Sequence, residues 1–155
     1  MKTISIPGWG VIKIKNIVLD LNGTLTESGN IIHGVLDGLQ ALQSEGFHMY
    51  VLSGDTRGTL RQTFDGSLGI VPVVTMTAKE KKTFVESVGP DQTVCIGNGN
   101  IDVEMFKMCK ISICTIQAEG ATTRALFEAD IVVTHIKHAL EILLDPEKLI
   151  ATLRA

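Results

Sequence analysis

The chain has 155 residues, of which 45% are hydrophobic and 20% charged, a composition typical of a globular domain that buries a core. The formal net charge is −3 and the 14 Lys and Arg residues are scattered, so neither nucleic acid nor a membrane is expected as a partner. No apolar run reaches the ~20 residues of a membrane span, and Pro7 and Gly8 interrupt the N-terminal segment early, so we expect one cytoplasmic domain over residues 1–155.

The first predicted element is a β-hairpin. Residues 2–6 and 11–15 alternate apolar and polar side chains on either side of a Gly-rich turn that contains Trp9. The pattern then changes to short, uninterrupted apolar runs, which are typical of strands buried on both faces of a parallel sheet. These runs are residues 17–19, 48–52, 70–74, 93–96 and 111–115, with 131–133 as a possible sixth.

Stretches with helical spacing separate the apolar runs. Apolar residues recur at helical intervals over 35–42 and 84–88, and the tail over 135–153 indicates closing helical segments around Asp145-Pro146. Strands that alternate with helices form right-handed βαβ units. The sequence therefore predicts an α/β fold built on a doubly wound parallel sheet, preceded by the hairpin.

Three clusters of Gly and short oxygen-bearing side chains follow strands of this predicted sheet. They are DLNGTLT at 20–26, SGDTRG at 53–58 and GNGNID at 97–102. In an open parallel sheet, ligands bind beyond the carboxyl ends of the strands. One cluster alone would indicate a turn, but three in this order indicate a site for a phosphate and a hard cation.

The three clusters resemble motifs I, II and IV of the haloacid-dehalogenase (HAD) superfamily. They are most similar to its P-type-ATPase-like branch, which carries DKTGTLT, TGD and GDGxND, and to the small soluble members of that branch. The resemblance extends from about residue 17 to residue 133. It implies a HAD-like Rossmannoid fold and a magnesium-dependent phosphohydrolase that acts on a small-molecule phosphomonoester or phosphoanhydride.

The resemblance also implies roles for individual residues. Asp20 matches the nucleophile that forms an aspartyl-phosphate. Mg²⁺ would be bound by the Asp20 carboxylate, the main-chain carbonyl of Asn22 and the side chain of Asn98. The phosphoryl group would be bound by Asp20, by the Ser53 hydroxyl with a neighbouring N–H at Gly54, and by the motif III lysine, while Thr24 stiffens the first loop.

Two lysines compete for motif III. Lys81 has apolar residues four and seven positions later, as in the branch's usual helix, and is preferred over Lys79. Asp102 would hold a metal-bound water or the lysine, although it could equally cap the following helix. Asp55 matches the Asp of TGD, but a capping role is as plausible there.

The sequence departs from the superfamily pattern at two positions. Asn22 stands where many phosphatases have the general acid, and an amide cannot transfer that proton. Asn98 stands where a charged metal ligand is usual. These amides leave open an alternative function, a catalytically weak regulatory or binding module that retains a phosphate or metal site.

No cap domain is expected, because the short intervals between Asp20, Ser53 and Gly97 are largely filled by predicted helices and strands. An uncapped cleft either admits a large substrate or is covered by a neighbouring subunit. We therefore expect a homo-oligomer, with Trp9 as one candidate for burial at its interface.

Overall fold

The N-terminal β-hairpin is present in the computed structural model, which describes residues 1–54, 63–64 and 68–155. Strands β1 (Lys2–Ile6) and β2 (Gly10–Ile14) are antiparallel. Alternation places one row of isoleucines in the core, at positions 4, 6, 12 and 14. Trp9 is half-buried and packs against the same core, so only part of its side chain is left for contact with another subunit.

A six-stranded parallel sheet forms the centre of the fold. Its strands lie in the order β10 (Ile131–Val133), β9 (Ile111–Thr115), β8 (Thr93–Gly97), β3 (Asn16–Asp20), β6 (His48–Ser53) and β7 (Ile70–Val74). Every neighbouring pair is parallel. The chain runs from β3 outward through β6 to β7, then crosses to the other side of β3 with β8. The order therefore reverses at β3, which ends at Asp20.

A second, very short hairpin follows Asp20. It pairs β4 (Thr26–Glu27) with β5 (Asn30–Ile31) through a turn at Ser28 and Gly29, both with positive φ. Asn22 forms an isolated bridge with Thr26, so the loop that carries the first motif folds back on this hairpin. Residues 20–31 therefore form one compact unit beyond the sheet edge.

Several of the described helices begin at a residue whose side chain caps them. Thr77 and Glu80 form a capping box at the start of α2, and Asp145 caps α6, whose first residue is Pro146. The bounds are α1 Val35–Ser44, α2 Ala78–Val88, α3 Val103–Met108, α4 Thr123–Glu128, α5 Ile136–Leu144 and α6 Pro146–Leu153. Single 3₁₀ turns occupy Pro90–Gln92 and Asn100–Asp102.

Both faces of the sheet are covered. On β3, Ile17 and Leu19 pack into the larger cluster, which includes the N-terminal hairpin and apolar residues of α1, α5 and α6. Val18 points to the other face and packs with residues of α2, α3 and α4. A strand buried on both faces explains the uninterrupted apolar run. The prediction of a doubly wound α/β sheet with an N-terminal hairpin is confirmed.

The described residues contain no helix long and apolar enough to cross a membrane.

Candidate active site

The predicted motifs meet at the carboxyl edge of the sheet, around the end of β3. Asp20 pairs with Leu52 of β6, so Ser53 follows one position beyond it on the neighbouring strand. On the other side of β3, Leu19 pairs with Ile96, so β8 ends beside Asp20. This edge is the topological switch point of the sheet, where open α/β folds bind their ligands.

A buried ionic triad occupies the centre of the site. The ammonium of Lys81, in the first turns of α2, lies 2.6 Å from Asp20 Oδ1 and 2.8 Å from Asp102 Oδ1. The exposed fractions of Asp20, Lys81 and Asp102 are 7%, 1% and 0%. Two carboxylates and one ammonium carry one net negative charge where the side chains are shielded from solvent, so an added cation or anion interacts strongly with them.

The environment changes the proton affinities of this triad. Burial, followed by the charge of Asp102, raises the pKa of Asp20 from 3.8 to about 6, although Lys81 and Thr24 oppose the rise. Burial disfavours the charged form of Lys81, but the adjacent Asp20 and Asp102 carboxylates together raise the pKa of its ammonium above 10.5. Lys81 is therefore a permanent cation at neutral pH, and the charge of Asp20 depends on what lies beside it.

Asp102 also organises the loop after β8. Its Oδ2 atom accepts hydrogen bonds of 3.0 Å from the N–H groups of Asn98 and Gly99. A Cβ at Gly97 would clash with the same carboxylate, so glycine is required there for close approach. The carboxylate therefore binds Lys81 and the preceding loop, and makes no side-chain capping bond to α3.

Oxygen atoms on the other side of Asp20 form a donor set suited to a hard cation. The Thr24 hydroxyl is 3.3 Å from Asp20 Oδ2 and 3.4 Å from Asn98 Oδ1. The carboxylate oxygen and the amide oxygen therefore lie on either side of one hydroxyl. The Asn98 amide is oriented by a 3.1 Å bond from its Nδ2 to the carbonyl of Gly120. A carboxylate, an amide oxygen and a hydroxyl, with no sulfur or imidazole, fit Mg²⁺. The described residues hold no cluster of three His, Cys, Asp or Glu side chains.

The remaining predicted residues lie around this centre. Ser53 is buried, and its carbonyl accepts a bond from the N–H of Thr75, while Gly54 is exposed. The Asn22 side chain is exposed, with Oδ1 3.4 Å from the Thr26 hydroxyl. Lys79 is exposed on α2, in contrast to Lys81. Asp55 lies outside the described residues.

Solved structures with the same fold include several phosphatases. The 3-deoxy-D-manno-octulosonate 8-phosphate phosphatase of Moraxella catarrhalis, in complex with magnesium and phosphate ions and KDO, is 18% identical with a TM-score of 0.69, over 91% of this chain and 94% of that chain. A cobalt-bound deoxy-D-mannose-octulosonate 8-phosphate phosphatase of Haemophilus influenzae is 20% identical with a TM-score of 0.68, over 88% and 90%. The chain has the HAD-like hydrolase fold.

A third structure with the HAD-like fold is a phospho-aspartyl intermediate analogue of phosphoserine phosphatase. It is 15% identical with a TM-score of 0.71, and the match covers 84% of this chain and 98% of that chain. No protein-family model matches the sequence. An uncharacterized protein of Methanocaldococcus jannaschii is 43% identical over 61 residues, which are 39% of this chain and 66%, just under two thirds, of that protein.

One residue of this site was not found from the sequence. Gln117 follows β9, and its Nε2 donates to the carbonyls of Gly23 and Thr24 at 3.2 and 3.0 Å. Its Oε1 accepts a 2.8 Å bond from the N–H of Ile136. The signal available was its position two residues beyond the apolar run 111–115, where side chains can face the ligand edge of the sheet. A lone Gln in that position resembles ordinary loop sequence.

Proposed function

We propose that the protein is a magnesium-dependent phosphohydrolase that uses Asp20 as its nucleophile. The observation that carries the proposal is the contact of Asp20 with Lys81 on one carboxylate oxygen and with Thr24, beside Asn98, on the other. A buried carboxylate held between a fixed ammonium and an oxygen-lined metal position is suited to attack on phosphorus. The substrate class is a small phosphomonoester or phosphoanhydride.

The reaction divides into two displacements. An Asp20 oxygen forms a bond to phosphorus while the bond from phosphorus to the leaving oxygen breaks, which gives an acyl phosphate. Water then attacks that phosphorus, the bond to Asp20 breaks, and inorganic phosphate leaves. The leaving oxygen takes a proton from solvent in the first step, and the attacking water returns one to solvent in the second. Lys81 offsets the charge of the phosphoryl group in both steps, and Ser53 with the Gly54 N–H is proposed to bind its oxygens.

Magnesium would be held by the Asp20 carboxylate, the Asn98 side chain and the Asn22 carbonyl, and would shield the anionic substrate from the carboxylate. Without it, the triad retains a net negative charge and repels phosphate. Asp102 acts on the chemistry through Lys81, since it fixes the ammonium and the loop of Asn98.

The alternative function is a binding module that takes up a phosphate or a metal and turns over slowly. The observation that favours it is Asn22, an amide where protonation of the leaving group is expected. The alternative retains the same site, so binding of a phosphoryl analogue supports both functions, and turnover separates them.

The experiment is a thermal melt with beryllofluoride and magnesium, which together mimic the acyl phosphate. Binding to the folded protein alone raises the melting temperature by mass action. We expect a rise in wild type and in the exposed control Asp37→Ala, and none in Asp20→Ala. A rise of equal size in Asp20→Ala would exclude Asp20 as the phosphoryl acceptor. A screen of phosphorylated metabolites with magnesium then identifies the substrate.

We also propose that the chain forms a homo-oligomer. Apolar side chains are exposed at both edges of the sheet, at Val71 and Val74 of β7 and at Val132 of β10, and Phe127 of α4 is 84% exposed. Such side chains are common at interfaces between subunits. Size-exclusion chromatography with multi-angle light scattering tests this, and a monomer at micromolar concentration contradicts it.

A further inference from the structure

Gln117 connects the Asp20 loop to the start of α5. Its Nε2 group donates to two successive carbonyls of the loop, at Gly23 and Thr24, and its Oε1 accepts from the N–H of Ile136. Only one orientation of the amide allows all three bonds, because the reverse places NH₂ against an N–H and oxygen against two carbonyls. The side chain is therefore fixed at both ends.

The loop that Gln117 contacts has its N–H groups bound from the opposite side. The Gly23 N–H donates to Thr26 and the Thr24 N–H donates to Leu21, at 3.1 and 3.3 Å. In a planar trans peptide the N–H and the carbonyl point in opposite directions. The Asn22 carbonyl therefore points away from Thr26, and the Gly23 carbonyl points away from Leu21, towards Gln117.

Gly23 is the place where this arrangement is weakest. Its φ is 80°, in the left-handed region, and glycine rotates between backbone conformations at little cost. Rotation of the peptide between Gly23 and Thr24 would turn the Gly23 carbonyl and shift the backbone of Thr24, whose hydroxyl contacts Asp20 Oδ2 and Asn98 Oδ1. The bonds from Gln117 oppose that rotation, since it would turn the Gly23 carbonyl away from Nε2.

We infer that Gln117 is a positioning residue, which holds the backbone of Thr24 so that the Thr24 hydroxyl keeps the Asp20 and Asn98 oxygens together for magnesium, and which anchors the loop to α5. The inference rests on the proposed function, since the metal belongs to the proposed reaction. Gln117 does not contact the reacting atoms, and it acts through the backbone of Gly23 and Thr24.

The test is isothermal titration calorimetry of Mg²⁺ into the full chain. Gln117→Met keeps the length of the side chain and removes its three hydrogen bonds. We expect Mg²⁺ affinity to fall about tenfold, as expected when one or two hydrogen bonds are lost at the site. Gln40→Met, on the exposed face of α1, should bind as wild type does.

A second control distinguishes a specific effect of Gln117 on Mg²⁺ binding from a general loss of stability. Leu153→Ala removes buried packing at the end of α6 and should lower the melting temperature without weakening Mg²⁺ binding. If Gln117→Met fails to fold, Gln117→Glu keeps the acceptor for Ile136 and loses the donor. Its added negative charge alone would strengthen Mg²⁺ binding, so weaker binding supports the backbone role and stronger binding contradicts it.

The outcomes separate the inference from the function on which it rests. Wild type that binds Mg²⁺, with equal affinity in Gln117→Met, overturns the positioning role and leaves the proposed function intact. Wild type that binds no Mg²⁺ overturns the magnesium-dependent function and the inference with it. A tenfold loss in Gln117→Met, with both controls unchanged in affinity, supports the inference.

Discussion

Lys81 Nζ lies 2.6 Å from Asp20 Oδ1, although 61 positions separate the two residues in the chain. The capping box at Thr77 starts α2 so that its first turns meet the end of β3, and the ammonium reaches across between Asp20 and Asp102. The Lys81 ammonium offsets the charge of two buried carboxylates, so the stability of the fold and the proposed chemistry at Asp20 both depend on it.

The first prediction concerns the loss of this ammonium. Lys81→Met should abolish turnover and destabilise the protein by about 3–5 kcal/mol at pH 7, because it leaves two buried carboxylates without a cation. Chemical denaturation and a p-nitrophenyl phosphate assay measure the two effects. Lys79→Met makes the same change on the exposed side of α2 and should be close to wild type in both. Equal effects of the two substitutions would contradict the assignment of Lys81.

The second prediction concerns the pH dependence of stability without metal. The pKa of Asp20 is raised from 3.8 to about 6 in the folded state, so the folded protein binds the proton more tightly than the unfolded chain. The resulting stabilisation is complete below pH 3.8 and is lost as the pH rises through about 6, by about 3 kcal/mol in total. Asp20→Asn should remove this loss and be more stable than wild type at pH 7.

Urea denaturation in a chelator, at intervals between pH 4 and pH 8, measures this slope. Asp37→Asn changes the same charge at an exposed position and should keep the wild-type slope. Saturating Mg²⁺ should flatten the wild-type curve, because a bound cation favours ionised Asp20. A wild-type slope that Asp20→Asn leaves unchanged would show that another group titrates.

The sheet was predictable because each strand coincides with a short, mainly apolar run. Runs over 70–74, 111–115 and 131–133 coincide with strands β7, β9 and β10. The choice between Lys79 and Lys81 depended on the helical phase of later apolar residues, and the structure places Lys81, rather than Lys79, beside Asp20.

The contacts between distant loops were not predictable from local patterns. Gln117 bonds to Gly23 and Thr24 across more than 90 positions, and the Asn98 amide bonds to Gly120. Such pairs depend on how strand ends are brought together by the sheet order, and a single side chain in a loop carries no periodic signal. The P-type-ATPase-like branch, the single domain over 1–155 and the roles of the site residues stay predictions.

The third prediction concerns Asn98. Its Nδ2 donates to the Gly120 carbonyl, which a carboxylate cannot do. Asn98→Asp should therefore lower stability without metal by about 1–3 kcal/mol, since it leaves that acceptor unpaired and adds negative charge near Asp20. Mg²⁺ should then raise the melting temperature of the variant more than that of wild type. Asn100→Asp, exposed in the same loop, is the matched control, and an equal Mg²⁺ effect in all three proteins would contradict the metal position.

The last prediction concerns Asn22 and the slow step of the reaction. An amide at position 22 can offer its main-chain carbonyl to magnesium, but it cannot take a proton from the attacking water. Hydrolysis of the acyl phosphate should therefore limit turnover, and wild type should release a burst of p-nitrophenol followed by a slow steady rate. The exposed side chain makes Asn22→Asp feasible without disturbing the core. That variant should recover part of the roughly 10²- to 10⁴-fold contribution of general acid-base catalysis.

Rapid-mixing kinetics with saturating Mg²⁺ separate the two phases, and saturation matters because an added carboxylate beside Asp20 also repels phosphate. Asn30→Asp, exposed in β5, introduces the same charge away from the nucleophile and should keep the wild-type steady rate. If Asn22→Asp changes neither phase while Asp20→Ala abolishes both, water is activated by another group. If wild type shows neither phase with any phosphate ester but still binds beryllofluoride, the binding module becomes the better account, because the site then retains its phosphoryl acceptor without turnover.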